Sequence, residues 1–263
     1  MIKFVYLQVG SNPKYRTELR YSIATLLADM PEAAGNIIIY TDSPLSYAAD
    51  SHVVSTHDVT GTMEEMTNRG SYFFRAKPCV ALHALRTNGC PCVFLDTDTF
   101  MNRGFARALK SKLSRGAVMD SYLRRNPFPE CAGLQLVLPS GVRYSYDPKT
   151  AVMYNSGVIG VWPEHAAAIE DSIAIIDATR PLCAGAKDQE QYAINTALSL
   201  HSIPISTIDS ALKHYWSRWQ KRYMHWRFSR VADIAPTPIL PCRPRILVNK
   251  PIGWCYKQAS RFL

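Results

Sequence analysis

Runs rich in apolar β-formers alternate with amphipathic stretches through this chain, and that alternation narrows its possible folds more than anything else in the sequence. IKFVYLQVG (2–10), NIIIYTD (36–42), HVVSTHD (52–58), VFLDTDTF (93–100) and VMYNSGVIGV (152–161) read as strands. Ser11-Asn12-Pro13 opens a helix carrying Leu19, Ile23, Leu26, Leu27 and Met30. Pro78 opens a second, with Ala81, Leu82 and Leu85. Trp162-Pro163 starts a third through Ile169, Ile173 and Ile176, and KDQEQYAIN (187–195) a fourth that runs to about Leu200. Strands without a polar face need cover on both sides, so the expected fold class is α/β, with helices on both faces of a mostly parallel sheet. In such sheets ligands bind outside the carboxyl ends of the strands. Gln8, Asp42 and the pair Asp96/Asp98 stand at those ends.

At 263 residues, 47% of them apolar, the chain can bury a full core. No run approaches the roughly 18–20 apolar residues that span a bilayer, and MIKFVYLQVG lacks the layout of a signal peptide. Seven scattered cysteines fit a reducing compartment better than a disulfide scaffold, so the expected location is cytoplasmic. Cys90 and Cys92 have no second pair or nearby histidines, so no zinc site is expected there. The net charge of +9 is uneven: residues 210–263 hold 11 Lys/Arg and one acid, Asp233, leaving 19 basic against 20 acidic residues in the first 209. A near-neutral body with a basic C-terminal segment points to an anionic partner.

Asp96 and Asp98 follow Val93-Phe94-Leu95 at i and i+2, and on extended backbone both side chains leave one face. Two adjacent carboxylates repel unless a cation neutralises them, and hard divalent ions such as Mg²⁺ or Mn²⁺ prefer oxygen ligands. A metal held there neutralises a diphosphate leaving group. Taken alone, the same pair also reads as a solvated turn or a cap.

In context, these residues resemble nucleotide-sugar glycosyltransferases of the GT-A fold, in particular bacterial glycan-assembling members, whose Asp-x-Asp closes an apolar strand about a hundred residues in. Arg75-Ala76-Lys77 lies where many members place a basic residue that reaches the nucleotide, YNSGVIGV (154–161) resembles their Asn-Ser-Gly strand, and KDQEQYAIN their Asp-Gln helix start. The resemblance covers roughly residues 1–215. It implies a Rossmann-like GT-A sandwich over 1–209, with a nucleotide-binding half (1–100) and an acceptor half (101–209), followed by a basic aromatic segment (210–263). It also implies transfer of a sugar from a nucleotide diphosphate sugar, UDP-sugar favoured, to a glycan or glycolipid acceptor, with Mn²⁺ or Mg²⁺ as cofactor. Carried over residue by residue, Asp96, Asp98 and His214 would hold the metal. Gln8, Val9, Gly10, Asp42, Arg75, Lys77, Asp96, Thr97, Gly157 and Gln189 would bind the nucleotide sugar, and Asp188 and Asn155 would stand at the reaction centre. Asp188 reads equally as the N-cap of its helix, Asn155-Ser156-Gly157 as a β-bulge, and His214 as a structural histidine. The chain departs from relatives that follow this histidine with a Gly-rich pattern and a phosphate-binding lysine, having Tyr215-Trp216-Ser217-Arg218-Trp219 instead.

Two other functions compete. The run VFLDTD also fits the nucleophile loop of a haloacid dehalogenase-type phosphatase, although that loop carries Thr or Val where this chain has Phe100. The basic tail by itself fits a non-catalytic protein of anionic surfaces. In HYWSRWQKRYMHWRFSR (214–230), Trp216, Trp219, Tyr223 and Trp226 form a stripe at helical spacing, opposite Arg218, Lys221 and His225. That stripe predicts a helix docked on the core or lying on an anionic membrane surface, which would place the protein peripherally on the inner face of a membrane. Pro236, Pro238, Pro241 and Pro244 predict an extended segment after it. No nucleic-acid partner is expected.

Overall fold

Burial on both faces is why the first strands lack polar positions. The computed structural model describes residues 1–125, 128–149, 152–229 and 238–243. In chain order its strands and helices are β1 (Lys3–Gln8), α1 (Pro13–Asp29), β2 (Ile37–Thr41), β3 (Val54–Asp58), α2 (Met63–Met66), α3 (Ala76–Asn88), β4 (Cys92–Leu95), β5 (Thr99–Met101), α4 (Phe105–Leu113), β6 (Ala117–Met119), β7 (Tyr122–Arg125), β8 (Gln135–Val137), β9 (Arg143–Ser145), β10 (Val152–Tyr154), β11 (Val158–Val161), α5 (Ala166–Thr179), α6 (Gln189–Leu200), β12 (Ile205–Thr207), β13 (Leu212–His214) and α7 (Arg218–Phe228). Seven strands form one sheet in the order β12-β6-β11-β4-β1-β2-β3. Its pairings are parallel except where β11 meets β4 and β6.

Side chains alternate across this sheet. Phe4, Tyr6, Ile37, Ile39, Val93 and Leu95 pack under α1 and α4 with Leu19, Ile23, Phe105 and Leu109. Val5, Tyr40, Phe94 and Ile159 face the other way, against Val80 and Leu85 of α3, Ile169 of α5 and Ile194 of α6. A smaller lobe is built from the β7–β10 and β8–β9 ladders, whose Phe128, Tyr144, Tyr146 and Met153 close over Ile175, Ile176 and Tyr192. Asn12 caps α1 by accepting from the Lys14 amide at 3.0 Å, with Pro13 in the first turn.

Four boundaries differ from the expectation. The strand expected over 93–100 breaks at Thr97-Asp98, because the Thr99 hydroxyl donates to the Asp96 carbonyl at 2.7 Å and closes a turn. The two aspartates are therefore presented by a turn and not by extended backbone. The strand over 152–161 divides at Asn155-Ser156-Gly157 into β10, in the small lobe, and β11, in the central sheet. Helix α3 begins at Ala76, so Pro78 falls within its first turn. The helix expected to carry the stripe from Trp216 begins at Arg218, because Leu212–His214 pair with β5 and the Ser217 hydroxyl meets Gln220 at 2.7 Å in a capping box.

The docked face of α7 also differs. Tyr223 and Met224 are buried while Trp216 is 59% and Trp226 39% exposed. Lys221 and His225, expected on the outer side, turn inward to Asp98 (2.8 Å) and to the fully buried Glu18 (2.7 Å). Buried carboxyl groups need hydrogen-bond or charged partners, and that requirement outweighs the burial of an indole. Pro238 and Pro241 lie in irregular backbone. Pro236 and Pro244, with most of the expected basic tail beyond Ser229, lie outside the described residues.

Candidate active site

Three stretches of chain converge where β4 ends. Asp96 leaves the strand with its amide donating to the Gly157 carbonyl at 2.9 Å, and the turn carries Asp98 inward. Strand β13 pairs antiparallel with β5 and sets His214 opposite Thr99. Its Nε2 lies 3.2 Å from Asp98 Oδ1 and 3.7 Å from Asp96 Oδ2, and its Nδ1 lies 2.8 Å from Asp120 Oδ2, just beyond β6. The imidazole lies against the backbone of Gly157, where an added Cβ would stand 2.3 Å from Nδ1. No larger residue fits there while the ring keeps its place.

Two lysines reach the aspartates from opposite sides. Lys77, in the first turn of α3, is 2.6 Å from Asp96 Oδ2 and 3.4 Å from the Ser156 hydroxyl. Ser156 in turn donates to Glu190 at 2.9 Å, and the Tyr72 hydroxyl bonds the other Glu190 oxygen. A buried polar chain thus runs from the start of α6 to the aspartate pair. Lys221 of α7 completes the set at Asp98 Oδ2.

Burial and charge compete at each of these groups. Burial alone would raise the Asp98 carboxyl, yet His214 and Lys221 hold it well below the usual carboxylate range. Burial would likewise favour neutral His214, but Asp98, Asp120 and Asp96 push its pKa up to about 10. Lys77 is desolvated, and Asp96 and Glu190 nevertheless hold its pKa above the ordinary value. Glu190 is raised by burial, against the pull of Lys77 and the hydroxyls of Tyr72 and Ser156.

The remaining expected residues divide between this edge and other places. Gln8 is buried, accepting from the Tyr47 hydroxyl at 2.8 Å and donating to the Gly10 carbonyl at 2.9 Å. Gly10, at φ +85°, donates its amide to Asp42 Oδ2 at 2.7 Å, so the ends of β1 and β2 are tied together. Val9, half-buried, packs toward the α3 side of the sheet. Thr97 is half-buried in the turn, and Asn155 Oδ1 accepts from the Gly157 amide at 2.8 Å. Asp188 occupies the N-cap position of α6 without a capping hydrogen bond. Two residues are turned away. Arg75 is paired with Asp177 at 2.6 Å in a groove between α3 and α5, and Gln189 Nε2 donates to the Cys183 carbonyl at 2.7 Å.

Asp120, Ser156, Glu190 and Tyr72 were not singled out as site residues from sequence, and Lys221 was read only as part of the polar face of its helix. Ser156 and Glu190 sit inside the two quoted motifs, and Asp120 ends an apolar run of only three residues. The donor set fits a divalent cation. Carboxylate oxygens of Asp96 and Asp98 and a ring nitrogen of His214 lie within 4.8 Å of one another. Asp120 on the opposite ring nitrogen fixes the imidazole's orientation, as second carboxylates do for metal-binding histidines.

No protein-family model and no curated protein sequence matches the chain. Solved structures do match by fold. Mouse xyloside xylosyltransferase 1 in its apo form aligns at TM-score 0.50 and 12% identity, over 87% of this chain and 92% of that one. The galactosyltransferase LgtC, in complex with donor and acceptor sugar analogues, aligns at TM-score 0.54 and 12% identity, over 93% and 98%. The chain has the GT-A fold, and that fold gives the phosphatase alternative no support.

Proposed function

We propose that the protein is a metal-dependent glycosyltransferase that moves a sugar from a nucleotide diphosphate sugar, a UDP-sugar in the favoured case, to a glycan or glycolipid. The observation that carries this reading is the convergence of Asp96, Asp98 and His214 at the carboxyl edge of a GT-A sheet. Asp96, Asp98 and His214 would hold Mn²⁺ or Mg²⁺, which when bound neutralises a diphosphate and eases its departure. Lys77 adds a buried positive charge beside Asp96, suited to a phosphate oxygen. Gln8, Val9, Gly10 and Asp42, with Thr97, would line the nucleoside side. Gly157 acts through His214 by leaving room for its ring. Asp188 and Asn155 would stand at the reaction centre beside the transferred sugar, Asp188 from the N-cap of α6, whose Glu190 is linked to Lys77 through Ser156. Arg75, paired with Asp177, and Gln189, bonded to the Cys183 carbonyl, would contribute to nucleotide-sugar binding through the placement of α3 and α6.

Thermal shift tests this with UDP, GDP, CMP and dTDP, each with and without Mn²⁺. A ligand at about 100 times its Kd stabilises the fold by roughly 2.7 kcal/mol. The expected result is a metal-dependent shift with UDP that Asp98→Ala abolishes. Absence of any nucleotide shift would remove the reading.

The division into a catalytic body (1–209) and a basic aromatic segment (210–263) belongs to the same proposal, with β13 and α7 of the segment reaching back to the site. Exposed Trp216 and Trp226 beside Arg218 and Arg222 support contact with an anionic membrane surface and a lipid-linked acceptor, on the cytoplasmic face. No helix among the described residues is long and apolar enough to cross a membrane. Cosedimentation with vesicles containing phosphatidylserine, reversed by salt, is expected; no binding at low salt would discard the membrane contact.

A further inference from the structure

Two thiols that the proposed chemistry leaves unused meet beneath the small lobe. Cys131 closes the short 3₁₀ turn Pro129–Cys131, and Cys183 lies in the connection from α5 to α6. Their sulfur atoms are 3.4 Å apart across 52 residues of sequence. Cys131 is fully buried and Cys183 is 7% exposed, within a connection whose residues 181, 182, 184 and 185 are exposed. Cys183 also anchors the start of α6, because Gln189 Nε2 donates to its carbonyl at 2.7 Å and approaches its sulfur at 3.0 Å.

We propose that Cys131 and Cys183 are a redox pair, joined as a disulfide by an oxidant of the glutathione disulfide class and reopened by thiols. This does not depend on the glycosyltransferase reading. The Cys183 thiolate attacks one sulfur of the oxidant and expels a glutathione thiolate. The Cys131 thiolate then attacks the Cys183 sulfur of that mixed disulfide and expels the second. Two protein thiols lose two electrons and two protons, and one glutathione disulfide becomes two glutathiones. The sulfurs need to close from 3.4 Å to about 2.05 Å for the bond to form. Burial, with the neighbouring Cys183 sulfur, pushes the Cys131 thiol up to about 12, which keeps it protonated and slows its attack until the exposed connection opens. Bond formation draws the Cys183 sulfur from Gln189 and ties the lobe to the start of α6, with Asp188 at its N-cap and Glu190 in its first turn.

The test equilibrates the full chain with reduced and oxidised glutathione at graded ratios, followed by acid quench, alkylation and peptide mass spectrometry. A linked 131–183 peptide, two hydrogen masses lighter than its parts, is expected. The linked form should melt roughly 5–15 °C higher and exchange backbone hydrogens more slowly across 183–192. Cys131→Ala and Cys183→Ala should each abolish both changes. The link itself is read in the wild-type chain, so the result does not depend on either variant folding. Full alkylation of both cysteines under oxidising conditions, or linkage to other cysteines as often as to each other, would overturn the pairing.

Discussion

The Gly157–His214 contact makes the metal-site proposal testable at a single atom. In Gly157→Ala the new methyl would stand 2.3 Å from His214 Nδ1, while the Gly157 carbonyl still holds the Asp96 amide. Backbone is fixed on one side, so the imidazole has to move. Overpacking of this kind costs about 1–3 kcal/mol of stability, and displacing an oriented metal ligand weakens metal affinity about 10–100-fold. Titration calorimetry of Mn²⁺ in the presence of UDP should show the second effect. Asp120→Asn should also weaken Mn²⁺ binding, there without a steric clash, because the amide is a poorer partner for the ring. Unchanged Mn²⁺ affinity in both variants would mean that His214 is not a ligand.

At the scale of elements, α7 separates two ways of docking a helix. His225→Ala would leave the fully buried Glu18 carboxyl without its hydrogen bond to the imidazole, at a cost of about 1–3 kcal/mol. Trp216→Ala, at a site 59% exposed, should cost under about 0.5 kcal/mol. Urea denaturation of the two variants decides, and the reverse order would restore the aromatic stripe as the docked face. The same helix marks the limit of sequence reading. Its indole spacing was legible, but the buried acids that select its inner face belong to α1 and to the turn after β4. Strands β1, β2 and β4 were legible because burial on two faces leaves an apolar run that needs no partner to be seen. Strands β5, β6, β12 and β13 are three residues each, too short for periodicity, and are defined only by their pairing. The aspartate pair and His214 were legible through the resemblance. Asp120 was not, since its role exists only once residue 214 folds back 94 positions to meet it.

Considered as a whole, the molecule is built on a mostly parallel sheet interrupted by one reversed strand, and the edge that carries Asp96 and Asp98 is closed by chain that comes late. The Asp98 carbonyl accepts from the Tyr215 amide at 3.0 Å, and Glu18 meets His225 across 207 residues. Such separations carry a consequence in time. Contacts of long sequence separation form after local ones, because chain must first be closed into a large loop. A chain of 263 residues is in the size range where populated intermediates are common. The central β1–α1–β2 unit is therefore expected to form early, while Asp96 and Asp98 wait, mutually repelling, for β13 and α7 to arrive. In refolding from urea, far-ultraviolet dichroism should recover before Mn²⁺-dependent nucleotide binding, with the interval between them lengthened by His225→Ala; simultaneous recovery would contradict this order. Binding competence would then report that the final stretch of chain has docked, and a partly folded molecule would be unable to sequester the metal and donor before its own assembly is finished.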